Sequence, residues 1–202
     1  MWKILALISF PLSLFAQAGS ANGTFTDNRD GSTYRWIRIG NQVWMAENLR
    51  YHPNTGSFLY SYKSEYEQLY GRLYTWDIAS KSCPDGWHLP EGWEISELYD
   101  QFGGMKLAGA ALKESGTKHW TTPNSSANNR SGFTALPAGA YSGKLYLQFN
   151  SIGKQAYFWT STEVGGSTAR VMQLGYNHTA AYDLGYHPKT WALSVRCLKN
   201  KP

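Results

Sequence analysis

The chain has 202 residues, 15% of them aromatic and only 16% charged, with a formal net charge of +5. That length suits one ordinary domain with room for a real core. The excess of Lys and Arg is small and scattered, without a basic run, which argues against nucleic acid as a partner.

Residues 1–18 read as a cleavable signal peptide. Lys3 supplies the positive start, Ile4 to Phe15 the apolar run, and Ala16-Gln17-Ala18 the small-residue cleavage site, with Ala21 as a fallback. The run is too short to span a bilayer, and nothing later is apolar enough, so no stable membrane span is expected in the mature chain. The predicted address is secreted or cell surface. Residues 19–32 are rich in Gly, Ser, Asn, Thr and Asp and read as a loose leader. A single domain is expected over 33–202.

Thr33 to Ile39 alternates as a strand. Gly40-Asn41 is a two-residue hairpin signal, because Gly supplies the positive φ that a type II′ turn needs first. Gln42 to Leu49 is the returning strand. Residues 50–70 form a tyrosine-rich connection, and Arg72 to Ser80 is predicted as a short helix. After the turn Cys83-Pro84-Asp85-Gly86 comes the clearest helix, where Ile95, Leu98, Tyr99 and Phe102 share one face. A further helix is predicted near Lys106 to Lys113. Beyond Gly116 the helical period ends. Short strands are expected at Phe133–Leu136, Tyr141–Phe149, Tyr157–Ser161, Arg170–Leu174, Ala180–Leu184 and Leu193–Leu198. A hairpin, then helices, then antiparallel strands is an α+β pattern.

Two cysteines remain, Cys83 and Cys197. An even count in an exported chain predicts a disulfide, here tying mid-chain to the last strand. A reactive thiol pair is the alternative, but nothing basic or helix-initiating activates either sulfur.

Seven segments in order carry a family likeness: TFTDNRDGSTY, IGNQVWMAENLRY, YGRLYTW, CPDGWHLPEGWEISEL, GFTALPAGAY, FWTSTE and SVRCLK. They resemble the Fibrobacter succinogenes major paralogous domain family over about residues 24–199. The resemblance implies an extracellular or surface protein of a bacterium. A more distant likeness, carried by WHLPEGWEISEL and by FWTSTE with the late VRC, is to the C-type-lectin-like fold and to formylglycine-generating-enzyme-like domains. It implies a leading hairpin, two or three short helices, short antiparallel strands with long loops, and one disulfide.

No metal or cofactor is expected. His52, His88, His119, His178 and His187 are scattered without ligand spacing. Asp27, Asn28 and Asp30 fail as a calcium loop because Arg29 takes a ligand position, and read instead as a turn. Glu91, Glu94 and Glu97 read as solvated helix charges, and Glu47 as a hydrogen-bonded structural carboxylate. Trp36, Trp44, Trp76, Trp87, Trp93 and Trp159 read as core. Trp120, Tyr141, Tyr146, Tyr182, Tyr186 and His187 sit in or beside Gly- and Asn-rich loops, where exposed rings next to amides suit stacking against sugars. The loops at 118–131, 141–156 and 175–190 are expected to present this face. The favoured role is an exported, non-catalytic binding or adhesion module for a polysaccharide or surface protein, without calcium. The alternatives are a secreted hydrolase or oxidase, and a structural component of the envelope.

Overall fold

The computed structural model describes residues 21–143 and 148–201. The predicted signal peptide lies outside these residues. In chain order the strands are β1 (Asn22–Thr26), β2 (Thr33–Ile39), β3 (Gln42–Met45), β4 (Ser57–Phe58), β5 (Leu73–Thr75), β6 (Trp87–His88), β7 (Ala140–Tyr141), β8 (Phe149–Asn150), β9 (Gln155–Val164), β10 (Thr168–Gly175), β11 (Ala181–Pro188), β12 (Ala192–Leu193) and β13 (Leu198–Lys199). The helices are α1 (Glu67–Tyr70), α2 (Trp76–Ala79), α3 (Gly92–Asp100) and α4 (Met105–Leu112). Three antiparallel sheets result, ordered β1-β2-β3-β13-β6, β4-β5-β12-β7-β8 and β11-β10-β9.

The first hairpin forms as its turn chemistry dictates, with Gly40 at φ 56° and Asn41 on the ordinary negative side. The leader departs from its expected loose state. Residues 22–26 form β1, paired with β2 from Asn22↔Ile37 to Thr26↔Thr33. Thr24, Phe25 and Thr26 supply the β-forming residues that the Gly and Asn content obscures. The helix predicted for 72–80 is instead strand β5 followed by the single turn α2, because Thr75 and Tyr74 pair with Ala192 and Leu193 of β12. The expected strand at 133–136 is reduced to one bridge, Ala135 with Lys113.

Helix α3 begins with a reciprocal capping box. Glu91 accepts from the N3 backbone, and the Glu94 carboxylate accepts the Glu91 N–H at 2.8 Å. Glu94 is therefore buried, not solvated, and also meets His88 Nε2 at 3.0 Å. Ile95, Leu98 and Tyr99 face the core as their spacing predicts, with Phe102 partly buried behind them. Trp93, expected in the core, is half exposed on the opposite side of the helix.

The β9–β11 sheet is covered on both faces, which explains the unbroken apolar run Ala-Tyr-Phe-Trp in β9. Phe158 joins a cluster with Trp44, Phe133, Trp120 and the α3–α4 residues. Tyr157 and Trp159 join another with Tyr34, Tyr74, Trp87 and Val195. A third cluster, around Tyr60, Tyr70, Leu73 and Tyr141, underlies the tyrosine-rich connection.

Cys83 and Cys197 are bonded, with their Cα atoms 5.8 Å apart across 114 residues of chain. The Cys197 carbonyl accepts the Met45 N–H, so the bridge is anchored at the central hairpin. Two buried cations stitch the irregular segments. Arg196 donates from Nε to Asn48 Oδ1 at 2.8 Å, from Nη2 to Thr134 O at 2.8 Å, and from Nη1 to Phe133 O. Its guanidinium also packs on the Phe133 ring at 4.3 Å. Lys113 donates to the carbonyls of Gly175 and His178, each at 2.9 Å, and of Ser125 at 3.3 Å. Neither has a carboxylate partner among the described residues.

Replacing both cysteines by serine is expected to lower the unfolding free energy by about 2–4 kcal/mol in urea titrations, the range for a bridge that closes a long loop. Burial lowers the Lys113 amine to about 8. Between that value and the ordinary lysine range the unfolded chain holds more protons than the folded one, so this group makes stability rise with pH. The stability gap between wild type and Lys113→Met should therefore widen by about 1–2 kcal/mol between pH 7.5 and 9.5. A gap that stays constant across that window would show that burial does not lower the Lys113 amine.

Candidate binding groove

The aromatic residues expected to share one face do not do so. Trp120 is 1% exposed, with its indole N–H donated to Ala135 O at 3.0 Å, so it is core. Tyr141 is also buried, stacked on Phe58 at 4.3 Å. Tyr146 lies outside the described residues. Tyr182 and Tyr186 are exposed, at 43% and 50%. Tyr182 pairs with Gln173 and His187 with Ala169, positions of one parity on β10, so these two share a sheet face. Tyr186 follows the opposite parity and faces away. His187 is half-buried between the Trp191 ring, stacked at 4.6 Å, and Tyr157 at 5.2 Å; burial lowers its pKa. Of the loop expected at 175–190, Ala181–Pro188 is strand β11. Of the predicted set only Tyr182 and His187 share a sheet face, opposite β10 positions four residues apart.

The concave surface lies elsewhere, where the first sheet meets the 132–136 segment and the tyrosine-rich connection. Three hollows adjoin there. The first, about 420 Å³, is lined by Asn22, Thr24, Trp36, Ile37, Gly132 and Thr134, among others. The second, about 110 Å³, shares Arg35, Ala46 and Thr134 with it and adds Glu47, Gln68, Leu69 and Arg196. The third, about 560 Å³, shares Gln68 and extends past Arg50, Tyr51 and His52. The first and third fall within the size range of ligand sites.

Each wall has a local cause. Gly23 faces Trp36 across the β1–β2 pair, and a Cβ on residue 23 would lie 2.9 Å from Trp36 Cζ2. The glycine thus lets the indole lie across β1 and become part of the groove lining. The indole N–H of Trp36 has no hydrogen-bond partner among the described residues. Glu47 accepts the Arg35 backbone N–H at 2.7 Å and sits 3.7 Å from its Nε, the structural role predicted for it. Thr134 and Phe133 are fixed from beneath by Arg196. Arg50 lies over the Tyr34 ring at 4.3 Å and donates to Thr33 O at 2.6 Å. Arg29 covers Tyr51 at 3.9 Å while its guanidinium holds Asp27 in an Asx-type turn. Burial would raise the Asp27 carboxyl, but the hydrogen bonds from Arg29 outweigh it and hold its pKa below the ordinary value.

The groove offers rings, amides, hydroxyls and guanidinium groups. Of its three carboxylates, Glu47 and Glu67 are paired with Arg35 and Arg72, and Asp30 accepts the Ser32 backbone N–H. The nearest approach to acid–base machinery is His119, whose Nδ1 meets the Glu114 carboxylate at 2.8 Å. No Ser, Thr or Cys among the described residues bonds its other nitrogen. No group of three or more His, Cys, Asp or Glu suited to a metal occurs among the described residues. No described helix is long and apolar enough to cross a membrane. Sequence reading missed the groove because Trp36 looked like core. The signal that points to it is the Gly23–Trp36 pairing, legible only once residues 22–26 are known to be a strand.

A family model described as the Fibrobacter succinogenes major domain matches residues 37–199. The search of curated proteins and the search of solved structures each found no match.

Gly23→Val is expected to push the indole off β1 and change the intrinsic Trp fluorescence, with a stability loss of about 1–3 kcal/mol from overpacking. An unchanged spectrum together with unchanged stability would show that Trp36 does not depend on the bare backbone at position 23.

Proposed function

The chain belongs to the Fibrobacter succinogenes major domain family, and for this member we propose a non-catalytic recognition role: an exported module that holds a polysaccharide chain along the groove, without calcium. The observation that carries this reading is the Trp36 indole spread over Gly23 at one end of three adjoining hollows, with its N–H free and hydroxyl, amide and guanidinium groups continuing along the line. An aromatic plane gives a sugar ring an apolar face to stack on, and the polar groups beyond it suit hydroxyls in an extended polymer. Two of the three groove carboxylates are held in ion pairs with arginines, which favours holding over cleaving. The Cys83–Cys197 bridge supports export to an oxidising compartment, in agreement with the signal peptide read in residues 1–18. We read the architecture as C-type-lectin-like, because the opening hairpin β2–β3 receives the last strand β13 in one sheet beside that bridge.

The test is retention of the folded protein on insoluble cellulose and xylan. Wild type should be retained and eluted by soluble oligosaccharide, and Trp36→Ala should lose about tenfold in affinity, the loss of one stacked ring. Thr134→Ala should weaken retention less. Retention that is indifferent to Trp36→Ala would remove the groove from the account, and no retention on any glycan would favour a protein partner.

A further inference from the structure

A second surface, sharing no lining residue with the groove, is organised around Arg170. This side chain lies against the start of α3. A Cβ on Gly92 would sit 3.0 Å from Arg170 Nη1 and 3.1 Å from its Cδ, so the bare glycine makes room for the guanidinium stem. Thr162 holds the same corner by accepting the Gly92 N–H at 2.9 Å. Despite this enclosure the guanidinium has no hydrogen bond and no ion pair among the described residues, and its Nε is buried without an acceptor. Every other enclosed arginine is served: Arg72 by Glu67 and Ser57, Arg196 by three oxygens, Arg29 by Asp27 and backbone carbonyls. A buried Nε without an acceptor is costly, and the two terminal nitrogens beyond it are the donors open to a partner.

Two half-exposed rings occupy neighbouring positions, one across the strand pair from Arg170 and one next in the chain to Gly92. Tyr186 is the cross-strand partner of Arg170 and lies on the same face of the sheet. Trp93 follows Gly92 directly, and its indole N–H is tethered to Glu91 at 2.8 Å, which holds an exposed ring in one place. Lys201 lies near that ring at 5.4 Å. The surrounding carboxylates are occupied, Glu91 in the capping box and Glu163 with Lys189. Those fixed negative charges disfavour a dianion such as phosphate but leave room for a single negative charge shared in a bidentate contact.

We propose that Arg170, flanked by Trp93 and Tyr186, is a binding site for the carboxylate of an acidic sugar, with the sugar ring resting on one of the two aromatic faces. The guanidinium supplies two parallel donors to the carboxylate, and the rings supply the contact that an isolated surface charge pair lacks. An acidic peptide would satisfy the guanidinium alone and leave the rings unused.

The experiment is calorimetric titration of the full protein with tri-galacturonate, and with its neutral counterpart galactotriose. Wild type should bind tri-galacturonate, more weakly as salt rises, and should bind galactotriose at least tenfold less well. Arg170→Gln and Trp93→Ala should each weaken tri-galacturonate at least tenfold with an unchanged unfolding midpoint, and Arg170→Lys should not restore it. Trp36→Ala should leave this binding intact, which separates the result from the groove. The proposal is overturned if wild type does not bind tri-galacturonate, or if Arg170→Gln binds it as well as wild type. It is also overturned if galactotriose binds equally, if Trp36→Ala and not Arg170→Gln abolishes binding, or if a poly-glutamate peptide binds as tightly as the sugar.

Discussion

The whole architecture depends on a guanidinium buried without a carboxylate to neutralise it. Arg196 lies two residues before β13 and one from the bridged Cys197, and it reaches Asn48 on one side and the carbonyls of Phe133 and Thr134 on the other. Much of this chain has no helix or sheet to absorb its backbone polar groups, yet every buried carbonyl must find a donor. A charged side chain with several donors solves that problem at one point. Burial pushes the Arg196 pKa down, with Glu47 acting in the opposite direction, so the site retains its charge through oxygen dipoles rather than through an ion pair. Lys113 repeats the device on the other side of the first core, gathering carbonyls from two loops onto the end of α4.

That constraint connects fold and surface. By holding residues 133 and 134 in place, Arg196 sets one wall of the groove. The hairpin β2–β3, which receives the last strand, sets the other. The groove is therefore built by the same contacts that close the domain, and its lining rests on a packed floor. The Arg170 corner differs: its glycine and threonine neighbours enclose a guanidinium that has no partner among the described residues.

Parts of this were legible from the sequence because they follow short-range rules. The Gly40-Asn41 turn, the stripe Ile95, Leu98, Tyr99 and the pairing of the two cysteines all depend on local spacing or on a small count. What was hidden depends on long-range pairing. Residues 22–26 become a strand only because β2 offers an edge, and 73–75 only because β12 arrives from more than a hundred positions away. Exposure of rings was the least legible quantity. Trp120 and Tyr141 stand among polar neighbours yet are core, while Trp93 sits inside an amphipathic helix yet faces solvent. Ring exposure is decided by which side of an element meets another element, and neighbouring residue types do not report that. Glu94 illustrates the same point, since a capping box and a histidine brought from β6 draw an apparently solvated carboxylate inside.

The Cys83–Cys197 bridge has a consequence for durability against proteolysis. Its two ends enclose the greater part of the folded chain, including the long linkers between the sheets. A protease that nicks any single peptide bond within that span produces two pieces that remain covalently joined, with β13 still seated between β3 and β6. One cut therefore does not release either half.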